Sequence, residues 1–255
     1  MRTEELSKGN LVVAVTGGTR GIGRAIAGLF RDRGYFVSVC SRSAEPEGLP
    51  PGVLHVQADV RRREPMRGFV QQTLKTFGRL DVIVNCAGLS LWRPLDRVDE
   101  AFAAQVLETN LMGTFWGCSA ATEILREGGA IVNVSSLAGK RGSANNSVYC
   151  AAKFAVNGLT QALAKEMGSR GIRVNAVCPV YVETEQVLAA LSDPAAPAHG
   201  QPVEKYLAAF AATQTSLGRL PSAAEVAEVV LFLASPASSA VTGQCINVDC
   251  GTLPQ

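Results

Sequence analysis

Seven short runs of β-branched and apolar residues, each followed by a stretch with helical or loop character, leave this chain few architectures to choose from. The runs are 11–16 (LVVAVT), 36–41 (FVSVCS), 53–57 (VLHVQ), 80–85 (LDVIVN), 130–135 (AIVNVS), 172–178 (IRVNAVC) and 245–249 (CINVD). Most are apolar nearly without interruption, the pattern of strands covered on both faces. Helical spacing is read over 21–33, 65–77, about 99–126, 149–169 and 222–234. Strand, helix, strand in repetition predicts an α/β fold: a single doubly wound parallel sheet with helices on both faces.

Two connections break the rhythm. Segment 42–52 (RSAEPEGLPPG) is too short and too rich in Pro and Gly for a crossover helix, so an irregular or one-turn link is expected. After the sixth strand comes a long insertion, about 182–220. Its centre, 193–202 (DPAAPAHGQP), reads as a mobile loop between helix-like 184–192 and 203–214. Insertions at a strand's carboxyl end commonly form substrate lids. With no repeat and no linker, 1–255 reads as one domain carrying that lid.

Composition narrows the function classes. Of 255 residues 47% are hydrophobic and 18% charged, and the net charge is +2, too small to argue for a nucleic-acid or membrane partner. The basic run 61–63 (RRR) reads as a solvated helix entry. The seven cysteines form no C-x-x-C pair and are odd in number, which argues against both zinc and a disulfide framework. The first ten residues are polar and lack a signal-peptide core, and no apolar run approaches a membrane span. A reduced, cytoplasmic protein without bound metal is expected.

The turn 15–23 (VTGGTRGIG) follows the first strand and opens the first helix. Gly17, Gly21 and Gly23 permit a tight turn and close backbone approach. The helix N-terminus then offers free N–H groups to a pyrophosphate, with Thr19, Arg20 and Ile22 completing the cradle. This makes the sheet Rossmann-type and the domain dinucleotide-binding. At the end of the second strand an acidic residue would bond a ribose 2′-hydroxyl; the chain has Ser41, Arg42 and Ser43 there. Arg42, with Arg20, would attract a 2′-phosphate, so NADP(H) is expected over NAD(H).

Tyr149 and Lys153 lie four apart in helical sequence and so share a face. Histidine, the usual acid–base group, occurs only at His55 and His199, and neither sits in a motif. His55 reads as a core or edge residue and His199 as a solvated loop residue. A phenol is a poor base near its ordinary pKa of about 10, but a neighbouring ammonium would lower it. Lys140 and Arg141 read as a surface pair that could guide an anionic substrate.

Five signatures stand in order: 16–23 (TGGTRGIG), 58–60 (ADV), 85–88 (NCAG), Ser136 thirteen residues before Tyr149-x-x-x-Lys153, and 175–179 (NAVCP) with Thr184 beyond it. On these the chain resembles the short-chain dehydrogenase/reductase family over about 11–251. The resemblance implies that Asp59 and Val60 hold the adenine. It implies that Asn85, Ala87 and Gly88 line the cofactor and steady the central strand, and that Pro179, Val182 and Thr184 bind it from the sixth strand. Asn110 would hold a water and bend the long helix, Ser136 would bind the substrate carbonyl, Tyr149 would be the acid or base, and Lys153 would hold the nicotinamide ribose and tune Tyr149. Two departures stand out: Val180 and Cys250 occupy positions where the family usually has Gly. A valine there disfavours positive φ and adds bulk beside the nicotinamide.

The function so implied is an NADPH-dependent ketoreductase acting on a small-molecule or carrier-bound ketone or 3-oxoacyl group, as a homodimer or homotetramer. An Ala- and Leu-rich lid suits a medium-sized, partly apolar substrate, as in polyketide ketoreductases. Two other readings stay open: an NAD-dependent alcohol or sugar dehydrogenase working oxidatively, and a non-catalytic dinucleotide sensor.

Overall fold

A computed structural model describes residues 11–44, 46, 49 and 51–254; the N-terminal ten residues, on which the absence of a signal peptide was argued, lie outside it. The strands are β1 (Val12–Thr16), β2 (Phe36–Ser41), β3 (Leu54–Gln57), β4 (Val82–Asn85), β5 (Ala130–Val134), β6 (Arg173–Pro179) and β7 (Cys245–Val248). They form one parallel sheet in the order β3-β2-β1-β4-β5-β6-β7. The order reverses between β1 and β4, so the crevice for a ligand opens at their carboxyl ends.

Alternate residues of each strand feed two cores. Val13 and Val15 pack with Ile26 and Phe30 of α1 (Gly21–Asp32) and Val226 and Val230 of α8 (Ala223–Ala234). Val12 and Ala14 pack on the other face with Met66 and Phe69 of α2 (Arg63–Phe77). Both faces are therefore dry, which is why the strand sequences are continuously apolar. Each fully buried Val or Phe contributes roughly 1.5–3 kcal/mol.

The helix expected over about 99–126 is instead broken in three: α3 (Glu100–Leu107), a π-helical turn over Glu108–Met112, and α4 (Gly113–Thr122). Asn110 explains the break. Its amide donates to Val106 O, at 2.9 Å, and to Leu89 O, at 2.9 Å, so a side chain enters the main-chain ladder and widens the turn. Helix α5 runs over Ser147–Gly168, two residues earlier than its spacing suggested. Between β2 and β3 no helix forms among the described residues.

The insertion after β6 folds as α6 (Glu185–Leu191), a set of turns, and α7 (Val203–Gln214). The turns are not the loose loop expected from their composition: Ala196 and Ala198 are 0% exposed. Trp92, Leu191, Ala196, Val203 and Leu207 make a third hydrophobic cluster apart from the two that flank the sheet. Asn145 ties this region down. It holds a left-handed φ of 58°, accepts from Arg93 N at 2.7 Å and donates to Ala195 O at 3.0 Å. Among the described residues no helix is long and apolar enough to cross a membrane.

Candidate active site

The glycine turn seals β1 against β4 by backbone contact. Gly17 has φ +66°, and a Cβ there would lie 2.9 Å from Ala87 Cα; a Cβ on Gly23 would run into the Gly17 carbonyl. Thr16 Oγ1 accepts from both Cys86 N and Ala87 N at 3.0 Å. Helix α1 begins behind Arg20 with no side-chain cap, so its first-turn N–H groups remain available to an anion. This cradle fits a dinucleotide pyrophosphate. Half-buried Thr19 and Ile22 and exposed Arg20 surround it. Thr184 caps α6, accepting from Val187 N at 3.4 Å, and together with Gln186 stands against Gly21 from above.

At the far end of the crevice, Ser41 Oγ contacts His55 Nε2 at 3.0 Å and donates to Ser43 O at 3.3 Å. His55 thus sits on edge strand β3 in a structural contact. Arg42 is exposed, and its carbonyl accepts from the Gln57 amide at 2.9 Å. Asp59 is gripped by Arg61, whose Nη2 reaches Oδ2 at 2.6 Å and whose Nε reaches both oxygens at 3.0 Å. Those bonds hold the Asp59 carboxyl below its ordinary range, and the Arg42 charge acts in the same direction. Val60 is buried beside it.

Asn85 faces the interior and not the crevice. Its amide donates to Asn133 Oδ1 at 2.9 Å and contacts Cys118 Sγ at 3.3 Å, and Asn133 donates in turn to Thr160 Oγ1 at 2.9 Å. A Cβ on Gly117 would overlap Asn85 Oδ1, so the glycine of α4 makes room for this relay. Ala87 meets the glycine turn, and Gly88 meets the catalytic candidates: a Cβ there would stand 2.8 Å from Asn110 Oδ1 and 3.7 Å from Lys153 Nζ.

The four candidates Asn110, Ser136, Tyr149 and Lys153 converge from three elements. Asn110 is 0% exposed, and its Oδ1 accepts from Leu89 N at 3.2 Å. Ser136 follows β5 in extended conformation, accepts from Ala138 N at 3.1 Å, and lines the same chamber as Tyr149, whose ionised form it favours. Tyr149 stands on the first turn of α5. Lys153, one turn on and 4% exposed, donates to Val134 O at 2.9 Å, with its Nζ 5.6 Å from the Tyr149 ring centre. Burial pushes the Tyr149 phenol up to about 12. Burial likewise draws Lys153 down to about 8. The Lys153 ammonium, together with the positive charge of an oxidised nicotinamide, was expected to lower the phenol. Among the protein's own groups burial is the largest influence on the phenol and acts the other way, with Ser136 opposing it.

Pro179 ends β6, and the Val182 side chain is buried in the core with residues of α1 and α8. Val180 is not asked for the positive φ that valine disfavours: among the described residues only Asn145, His199 and Cys250 are non-glycines with positive φ. Of the two glycine replacements it is Cys250, at φ 52°, that carries the strained backbone.

A cavity of about 110 Å³ lies over Ser136 and Tyr149, walled by Val180, Tyr181, Leu191 and Phe210. A second, of about 280 Å³, adjoins it and shares Trp92, Arg141, Ser143, Tyr181 and Phe210. Arg141 is half-buried between the two, not a surface residue; Lys140 is half-buried as well. His199 is exposed at the outer rim. The aromatic walls were not found from sequence. Tyr206 and Phe210, four apart on a helix-like stretch, were the available signal; Trp92 and Tyr181 carried none.

A family model described as enoyl-(acyl carrier protein) reductase matches residues 17–252. The chain is 36% identical over 256 residues to a diacetyl reductase [(S)-acetoin forming] of Staphylococcus aureus, covering 95% of this chain and 97% of that one. It is 36% identical over 253 residues to the 3-oxoacyl-[acyl-carrier-protein] reductase FabG of Chlamydia muridarum, with the same coverages of 95% and 97%. Among solved structures, a variant of actinorhodin polyketide ketoreductase with NADPH superposes with TM-score 0.87 at 31% identity, covering 99% of both chains. The ligand-free aldohexose dehydrogenase of Thermoplasma acidophilum gives 0.87 at 30% identity, covering 97% of this chain and 98% of that one.

Proposed function

The chain belongs to the short-chain dehydrogenase/reductase family of oxidoreductases acting on alcohol and ketone groups, and from that footing we propose that it is an NADPH-dependent ketoreductase. It reduces a ketone or 3-oxoacyl group, free or carrier-bound, to a secondary alcohol. The observation that carries this is the convergence of Ser136 and Tyr149 on the floor of one small chamber, with Lys153 and Asn110 together beside Gly88.

A nicotinamide dinucleotide held in this crevice would supply hydride to the carbonyl carbon. Tyr149, protonated at neutral pH because burial holds it near 12, gives its phenolic proton to the carbonyl oxygen. Ser136 Oγ turns its own hydrogen to the same oxygen as negative charge develops. Lys153 and Asn110 anchor the water chain that returns the proton from solvent, and Asn110 fixes the Leu89 loop through paired bonds. Thr184 with the turn residues 17–23 holds the pyrophosphate, Ala87 and Gly88 line its path, and Asp59 and Val60 flank the adenine. Ser41 and Arg42, standing where an acid would favour NADH, support the choice of NADPH. The ketoreductase structure with NADPH and the carbonyl-reducing relatives support the same reading.

The 182–220 insertion acts as the lid of a one-domain enzyme. Exposed Phe115 on α4 and Phe154 on α5 support pairing of subunits through these helices, as a homodimer or homotetramer. Seven free thiols suit a reducing cytoplasm. The aldohexose dehydrogenase likeness favours a second reading, NAD-dependent oxidation of an alcohol or sugar.

One assay decides. Purified protein is given NADPH or NADH with ketones, diketones, 3-oxoacyl thioesters and a 2-enoyl thioester, and NAD⁺ or NADP⁺ with alcohols and aldohexoses, followed at the cofactor absorbance. Turnover of ketones or 3-oxoacyl thioesters with NADPH is expected. Turnover confined to sugar oxidation with NAD⁺, or to the enoyl thioester, overturns the proposal.

A further inference from the structure

The two joined chambers differ in size and chemistry in a way that selects a substrate. The inner one, at about 110 Å³, is smaller than the cavity of about 150 Å³ that accepts benzene. It therefore takes the reacting carbonyl with a short alkyl group and no ring. The outer one, at about 280 Å³, has room for a ring. Its walls are aromatic and drawn from three segments: Trp92 before α3, Tyr181 after β6, and Tyr206 and Phe210 on α7. Tyr181 packs edge-on against Phe210 with centroids 4.9 Å apart, and its hydroxyl meets that of Tyr206 at 3.2 Å. These contacts set aromatic faces and edges around the slot, and flat π surfaces suit a flat guest.

Arg141 stands on the wall common to both chambers. It makes no ion pair among the described residues, and neither chamber is lined by an Asp or Glu. Its charge is felt at Tyr181, where it opposes the upward push that burial gives that phenol. A half-buried guanidinium in an aromatic slot with no anion of its own is a site for an anion brought by the ligand, held by paired N–H donors.

Resting on the ketoreductase reading, we propose that the substrate is an aryl ketone with a short alkyl group on the carbonyl and a carboxylate on the ring, and that Arg141 is the residue that selects the carboxylate. The alkyl group enters the inner chamber, the ring fills the aromatic slot, and the acid pairs with Arg141.

The test uses three methyl ketones: 4-acetylbenzoate, its methyl ester, and 4-acetylcyclohexanecarboxylate. Both kcat/KM with NADPH and affinity, read from tryptophan fluorescence of the cofactor-loaded enzyme, are measured. The carboxylate is expected to exceed the ester at least tenfold in each, and the flat ring to exceed the cyclohexyl analogue. Arg141→Gln should bring the acid-to-ester ratio near one, mainly through KM, and Arg141→Lys should restore part of it. A ratio that survives Arg141→Gln, a parent enzyme preferring the ester, or equal use of the cyclohexyl compound overturns the inference. If no ketone turns over but 4-acetylbenzoate binds in an Arg141-dependent way, the ketoreductase reading fails while the anion site stands. If butane-2,3-dione is reduced and 4-acetylbenzoate neither binds nor reacts, the reverse holds.

Discussion

Lys153 directs its ammonium at the Val134 carbonyl, 2.9 Å away, from a position 4% exposed to solvent. One acceptor replaces a full hydration shell, so the charged form is disfavoured and the pKa falls from 10.5 to about 8. The strand end and the helix face are thus held together by a lysine on the verge of neutrality.

That lowering gives a stability signature. Below about pH 8 the folded chain carries the buried charge; between there and 10.5 only the unfolded chain still holds the proton. Stability contributed at this site therefore rises with pH across that window. At ~1.4 kcal/mol per pH unit the gain is on the order of 3 kcal/mol. Urea unfolding of the parent and Lys153→Met from pH 7 to 10 should show the difference moving in the parent's favour. A constant difference contradicts the buried, neutralising lysine.

Tyr149→Phe removes the proton donor and little volume. Turnover should fall about 10²–10⁴-fold, the usual worth of general acid catalysis, while NADPH affinity stays within a few-fold. Steady-state kinetics beside a cofactor titration check this. Turnover near the parent's would place the proton donor elsewhere.

Arg42→Asp substitutes repulsion for attraction where a 2′-phosphate would lie. The parent should bind NADPH more tightly than NADH, and the variant should invert that order, each by about tenfold or more, or ~1.4 kcal/mol. Titrations at a single ionic strength are required, since Arg42 is exposed and its field is screened by salt. Equal affinities in the parent would refute the assignment.

Cys250→Gly should stabilise the protein. At φ 52° the cysteine Cβ crowds its own backbone, while glycine does not. After glycine's larger entropic loss the net gain is roughly 0.5–1 kcal/mol, a rise of a few degrees in Tm. Calorimetry that shows a lower Tm would mean that the thiol's packing outweighs the strain.

What the sequence made legible was local in origin. Val12–Thr16 reads as a strand and Gly17–Gly23 as a cradle because period, turn chemistry and order lie within a dozen residues. Tyr149 and Lys153 read as a pair for the same reason, a helical turn between them. How Asn85 steadies the central strand was not legible, because its direction is set by Asn133 and Cys118, far along the chain, and by the missing side chain of Gly117. The turns at 193–202 looked loose because Pro, Gly and Ala suggest a loop, yet Ala196 is buried in a cluster with Trp92 and with Val203 and Leu207 of α7. Arg141 looked superficial beside Lys140, and only the fold of the insertion over it makes it an inward-facing charge.

The separate cluster of Trp92, Leu191, Ala196, Val203 and Leu207 has a consequence for how the enzyme breathes. Because it shares no buried member with the clusters on either side of the sheet, it can come apart while they stay intact. The free energy of admitting a guest is then set by a handful of contacts rather than by the stability of the whole molecule. Amide protons of α6 and α7 should exchange by this smaller opening, well ahead of those in β1 and β4. Residence time in the slot becomes a property that changes in Leu191 or Leu207 can lengthen or shorten without disturbing the sheet that holds Ser136 and Lys153 in place.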